Sequence, residues 1–268
     1  MPAQLQNRLL TSSRSRLLAI MGLSPLLLNT EATHAQPKDN WQFSLGTYLW
    51  LQDFQGDTSY QTEPLDEQAI LGYDESDKRG LVYNLSIEHQ HLRWLPQLRA
   101  QYSKVTLSHT ERSTVTGGII PVTSEVVTNA ETDLSHTDLI FYYPLLRSNF
   151  QIDLGIAGRN LNGGIEADDG ESTGTVEIKE TAPLVFGAAK VKFKVDDDNT
   201  YFVVGAEAMG LEYKDVSHLD YKLSISLHTP VGLRFESGAR KFDLDYQGDN
   251  DSAEISVKGF FTGISYHF

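Results

Sequence analysis

The sequence has no cysteine in its 268 residues, which excludes a disulfide framework, a thiolate metal site and a cysteine nucleophile. It also has no run of about 20 mostly apolar residues, so a helical membrane bundle is excluded. Basic residues are scarce: 22 Lys and Arg stand against 36 Asp and Glu, a formal charge of −14. A nucleic-acid binder needs Lys and Arg to neutralise phosphates, so no nucleic acid is expected as a partner. Nowhere does an apolar period of 3.6 compete with the period of two described below.

What is present begins with an export signal. Arg8, Arg14 and Arg16 lead into the apolar stretch LLAIMGLSPLLL, and THA offers a small-residue cleavage site after Ala35. Residues 1–35 therefore read as a signal peptide and residues 36–268 as the mature domain. Cleavage removes three Arg and one Glu and leaves a charge of −16.

The mature chain alternates with a period of two. Phe150, Ile152, Leu154 and Ile156 share one face, and Gln151, Asp153, Gly155, Ala157 and Arg159 the other. Leu81, Tyr83, Leu85 and Ile87 oppose Asn84, Ser86 and Glu88, and Tyr221, Leu223, Ile225 and Leu227 oppose Lys222, Ser224, Ser226 and His228. About ten such segments are predicted, near 41–53, 80–90, 97–108, 134–144, 149–160, 182–195, 200–212, 220–229, 232–243 and 254–268. The faces of 182–195 can be assigned either way. Connectors are short at HLRWLP, PLLRSN, DDDN and PVG, and long at 54–79, 109–133 and 161–181, the alternation of a transmembrane barrel with short turns at one end and long loops at the other.

A soluble β-sandwich alternates too, with its apolar faces inward. The polar face carries Glu88, Arg99, Asp138, Asp153, Arg159, Glu207, Lys222, Arg234, Glu236 and Arg240, a set suited either to water around a sandwich or to a packed ionic lumen behind a lipid-facing exterior, of which only the second explains the terminal strand. The fold expected is all-β: an antiparallel up-and-down transmembrane barrel of about ten strands. In hydrocarbon an unpaired strand edge leaves its N–H and C=O groups unsatisfied, so the last strand must close on the segment beginning at Trp41. Tyr143, Phe150, Phe202, Tyr221, Phe260, Tyr266 and Phe268 fit interfacial aromatic girdles.

Ile264, Tyr266 and Phe268, at alternate places to the end of the sequence, resemble the terminal signature of bacterial outer-membrane proteins. That resemblance implies recognition by the barrel assembly machinery. SLGTYLWLQDFQGD, IEHQHLRWLPQLRAQY and LSHTDLIFYYPLL resemble a proteobacterial family of outer-membrane β-barrel proteins of unknown function, in scattered blocks over most of the mature chain. The resemblance implies a Gram-negative outer-membrane location among lipid and lipopolysaccharide, and it supplies no catalytic residues.

Three constellations invite chemistry. In DLDYQGDNDSAE, Asp243, Asp245, Asp249, Asp251 and Glu254 have the spacing of an EF-hand calcium loop; a hairpin tip uses the same residue types for turn geometry. LSHT occurs twice, placing His109, His136 and Asp138 on two arms of one predicted hairpin near the outer rim, where a His–Asp pair would suit a protease or lipid hydrolase. Acids crowd two long connectors, at Asp57, Glu63, Asp66, Glu67, Asp74, Glu75 and Asp77, and at Glu166, Asp168, Asp169, Glu171, Glu177 and Glu180, which keeps a surface solvated. The lumen set holds five acids and five bases, favouring pairing over an ion-selective ring. The expected function is a structural or surface-interaction role without enzyme activity or a required cofactor; the alternatives are a narrow channel and a rim hydrolase.

Overall fold

The computed structural model describes residues 41–268 apart from 64–67, 90–93, 118–121, 169, 171–172, 196–199, 214–215 and 249–250. The predicted signal peptide lies outside the described residues. Among those described, all regular structure is β. The strands are β1 (Trp41–Glu63), β2 (Gln68–His89), β3 (Gln97–Ser103), β4 (Thr106–Gly117), β5 (Val122–Asp133), β6 (His136–Arg147), β7 (Phe150–Asp168), β8 (Thr173–Lys194), β9 (Tyr201–Tyr213), β10 (Val216–His228), β11 (Leu233–Gln247) and β12 (Ser252–His267).

Ten staves make the barrel, because β3 runs into β4 and β5 into β6 through matched jogs. Ser103 pairs with His136 below the jogs and Thr106 with Asp133 above them. Val105 and Leu134 bridge the gap through the Leu134 N–H, which donates to the Val105 carbonyl at 2.8 Å. Every stave is antiparallel to its neighbours, and β12 pairs with β1 from Ser44↔His267 to Ser59↔Ser252. Phe43 and Phe268 exchange two backbone hydrogen bonds of 3.0 and 2.9 Å, and their rings stack at 6.0 Å. The terminal run thus closes the sheet and removes its edge.

Outward-facing side chains form an apolar belt. On β1 these are Phe43, Leu45, Leu49 and Leu51, on β7 Phe150, Ile152, Leu154 and Ile156, and on β12 Phe260, Ile264, Tyr266 and Phe268. Nine residues rising ~3.3 Å each at a tilt of about 45° cover roughly 20 Å, near the height of such a band. At the short-turn end the chain reverses at Thr229–Leu233. There Gly232 adopts φ +82°, and a Cβ would stand 2.4 Å from the His267 carbonyl oxygen, so the turn requires glycine.

Beyond the belt the structure departs from expectation. The three long connectors predicted as loops are largely strand: β1 and β2 continue to Glu63 and from Gln68, β4 and β5 fill most of 109–133, and β7 continues to Asp168 with β8 starting at Thr173. The cause is a reversal of polarity without a change of register. On β7 the outward file runs Phe150, Ile152, Leu154, Ile156 and then Asn160, Asn162, Glu166, Asp168, while the inward file runs Gln151, Asp153, Arg159 and then Leu161, Ile165, Ala167. On neighbouring β8 the outward file changes at the same height, from Val185 and Pro183 to Thr181, Lys179 and Glu177, with Thr181 paired to Asn160. Above the belt, water replaces lipid outside, so the apolar face must turn in. Phe54, Leu71, Leu107, Leu134, Leu161, Ile165, Ile178, Phe242 and Ile255 build that distal core, each contributing about 1.5–3 kcal/mol by burial.

Candidate functional site: the lumen

The polar face of the staves converges on the barrel axis, and all ten predicted lumen residues point inward. They fall into two tiers. The upper tier is Asp138, Arg159, Asp220 and Arg240. Arg159 donates from Nε and Nη2 to the two Asp138 carboxylate oxygens at 2.7 and 2.9 Å, and from Nη2 to Asp220 at 2.9 Å. Arg240 donates to both Asp220 oxygens and, at 2.9 Å, to Ser103 Oγ. Asp138 and Arg159 are 0% exposed, and Asp220 and Arg240 no more than 5%. Two acids and two bases balance, and the guanidinium forks satisfy the carboxylates, the condition under which buried charges are tolerated. Arg159 packs on Phe242 at 5.1 Å, so the distal apolar core roofs the tier, and Arg240 packs on Trp50 at 4.7 Å from its lower side.

The lower tier lies nearer the short turns. Arg99 donates to Glu207 at 2.9 and 3.2 Å, and Lys222 bridges Glu207 and Glu236 at 3.4 and 3.2 Å. Arg234 donates to Glu236 at 2.6 Å, Lys190 to Asp153 at 3.0 Å, and the Tyr142 hydroxyl to Glu88 at 3.1 Å. Between the tiers is a cavity of about 30 Å³, lined by Tyr48, Trp50, Arg99, Glu207, Lys222 and Arg240, room for one or two waters at ~10–15 Å³ each.

Sequence reasoning missed Asp220 and Lys190. Asp220 shares the parity of Lys222, so extending the polar face of β10 by one step reaches it. Lys190 gave no such signal, because Ala182, Leu184, Phe186 and Ala188 point inward while Pro183, Val185 and Ala189 point outward, making both faces of β8 apolar. The inward four join Ile140, Tyr142, Ala157 and Met209 in a second apolar cluster beside the ionic tiers.

The predicted rim pair is displaced. His136 and Asp138 lie inside the barrel at 1% and 0% exposure, and His109 is on another level. Ser103 pairs with His136 and Ala130 with His109, six residues along the hairpin, or about 20 Å. His109 instead contacts Glu75 at 2.9 Å on the outward hairpins, and with Lys78 it holds that carboxyl below the usual range. His136, Asp138 and Asp220 are close enough to one another to share an ion. Every carboxylate oxygen of the two aspartates, however, already accepts from a guanidinium.

The calcium-like stretch is a hairpin of paired strands in place of a wrapped loop. Asp243 pairs with Ser256 and Asp245 with Glu254. The extended backbone lays Asp243, Asp245 and Glu254 along the outer face, where Asp243 meets Lys241 at 2.8 Å. Asp251 sits at the turn, and Asp249 lies outside the described residues. Of the predicted acidic surface, Asp57, Asp74, Glu166, Asp168 and Glu177 are on exposed outer positions; Asp66, Glu67, Asp169 and Glu171 lie outside the described residues. Ile264, Tyr266 and Phe268 face outward on the closing strand.

No family model matches the chain, and no curated protein matches it. Among solved structures, the chain is distantly similar to several outer-membrane proteins. The outer membrane protease OmpT from Escherichia coli is 10% identical with a TM-score of 0.40, over 84% of this chain and 97% of that one. The translocator domain of autotransporter NalP from Neisseria meningitidis is 10% identical with a TM-score of 0.41, over 87% and 90%. Ail, the attachment invasion locus protein of Yersinia pestis, is 7% identical with a TM-score of 0.30, over 86% and 99%. Likeness at this level says nothing of activity. By its own strand pairing, closed edge and apolar belt, the chain is a ten-stranded transmembrane β-barrel of the outer-membrane type.

Proposed function

We propose that the protein is a sealed outer-membrane barrel with a structural or surface-interaction role, holding its outward hairpins as a rigid acidic platform. One observation carries this reading: the upper tier of Asp138, Arg159, Asp220 and Arg240 spans the lumen essentially dry and lies beneath a packed apolar core. Solute would have to break charge pairs and then cross apolar packing. Backbone pairing of Thr62 and Glu63 with Gly174 and Thr173 further ties the first hairpin to the tip of β8, two staves that are not barrel neighbours. Burial of His136 and Asp138 also speaks against a rim hydrolase, because a substrate cannot reach them. Planar-bilayer recording of refolded protein in 1 M KCl (about molar salt, to resolve small pores) tests this. Membrane insertion without conductance steps is the expected outcome, and a steady ohmic conductance would refute the seal.

A further inference from the structure

Below the lower tier the lumen opens toward the short turns as a cavity of about 450 Å³. In outer-membrane barrels that end faces the periplasm. Its charge contradicts the molecule's acidity. Four permanent cations, Arg147, Lys190, Lys192 and Arg234, line it with one carboxylate among the described residues, Glu88. Lys190 and Arg234 are engaged by Asp153 and Glu236. Arg147 and Lys192 have no carboxylate among the described residues. Arg147 donates to the His89 carbonyl at 3.0 Å, and the Lys192 ammonium rests 3.5 Å from the centre of the Tyr201 ring.

Further nitrogens around the same cavity are unused: Nε of Arg234 and Nε2 of His267 are buried without a hydrogen-bond partner. Tyr201 stacks on His228 at 4.5 Å, and Lys192 covers the same ring, which fixes the ammonium in place. Cations and N–H groups from several walls suit an anion with three or more acceptor oxygens better than a carboxylate with two, and guanidinium with ammonium is the pairing that phosphate recognition uses. Low-dielectric walls around the cleft strengthen the attraction.

We propose that this vestibule binds a phosphate-bearing anion that enters from the periplasm. The site is independent of the outward platform and of the seal above it.

The test titrates detergent-solubilised protein with sodium pyrophosphate at fixed ionic strength, read by calorimetry and by 31P line broadening, with dihexanoyl phosphatidylglycerol as a second probe. Saturable one-site binding is expected. Arg147→Gln with Lys192→Gln should weaken it at least tenfold, Glu88→Gln should tighten it several-fold, and Lys179→Gln, on the exposed outer face, should leave it unchanged. Lys192→Gln alone, weakening binding about threefold, keeps the test decisive should the double variant fail to fold. Variant-sensitive binding of pyrophosphate identifies a free phosphate compound as the source; the same sensitivity with the lipid alone identifies a headgroup. Absence of saturable binding by both probes overturns the proposal, as does binding that the lysine and arginine variants retain.

Discussion

Replacing Arg159 by Met separates a dry ionic tier from a wet one. Arg159 supplies both hydrogen bonds from an arginine to Asp138 and one of those to Asp220. Without it Asp138, at 0% exposure, keeps no guanidinium or ammonium partner among the described residues, and the His136 ring nitrogen stands 4.0 Å away. Removing one partner of a buried pair costs about 3–5 kcal/mol, whereas a solvated pair is worth ~0–1 kcal/mol. With m near 2 kcal/mol/M for urea, the loss lowers the unfolding midpoint by roughly 2 M. Trp50, packed under Arg240, provides a fluorescent report from the same tier. Reversible urea unfolding in lipid vesicles is the assay, run on wild type, Arg159→Met, Asp138→Leu and the double variant. The double variant should recover most of the stability, because no buried charge is then left uncompensated. A midpoint shift for Arg159→Met below about 0.5 M, the value expected of a solvated pair, would refute the dry tier and with it the seal.

Two further outcomes check the reversal of polarity and the outward hairpins. Leu154→Arg, in the belt, should destabilise by about 2–4 kcal/mol, while Asn162→Arg, eight residues along the same outward file, should change stability by less than about 0.5 kcal/mol; equal effects in vesicle unfolding would place lipid where the structure puts water. Glu75 has a carboxyl pKa lowered by its hydrogen bonds from His109 and Lys78. Its contribution is therefore complete above the unfolded carboxylate value of about 4.3 and is lost as pH falls through the lower folded value. Amide exchange over Asp74–Lys78 should accelerate in that acid window in the wild type, and Glu75→Gln should abolish the pH step.

Much of this molecule was legible because lipid imposes a simple rule on each stave. The ten predicted segments overlap the ten staves, and the residues on their polar faces point to the axis, since parity survives from end to end of a strand. The distal half was illegible for a definite reason. The prediction followed outward apolar residues, and on β7 that signal vanishes after Ile156 although the strand runs twelve residues further to Asp168. Alternation persists there with the opposite sign, carried by Leu161, Ile165 and Ala167. His136 illustrates the same limit. The repeated LSHT on two arms of one hairpin suggests a rim, but the depth of His136 is set by pairing with Ser103 and by Arg240 from β11, contacts that no local pattern encodes. The calcium-like spacing uses residue types that also suit a β-turn, and the described backbone there follows the hairpin.

The reversal at Asn160 and Thr181 also fixes immersion depth. Sinking by two residues, about 5 Å at this tilt, would drag amide and hydroxyl groups into acyl chains; rising as far would wet the aromatic collar at Phe43 and Phe268. Like a hull with a painted waterline, the barrel rides at one draught, so bilayer thickness rather than vertical sliding must absorb any mismatch.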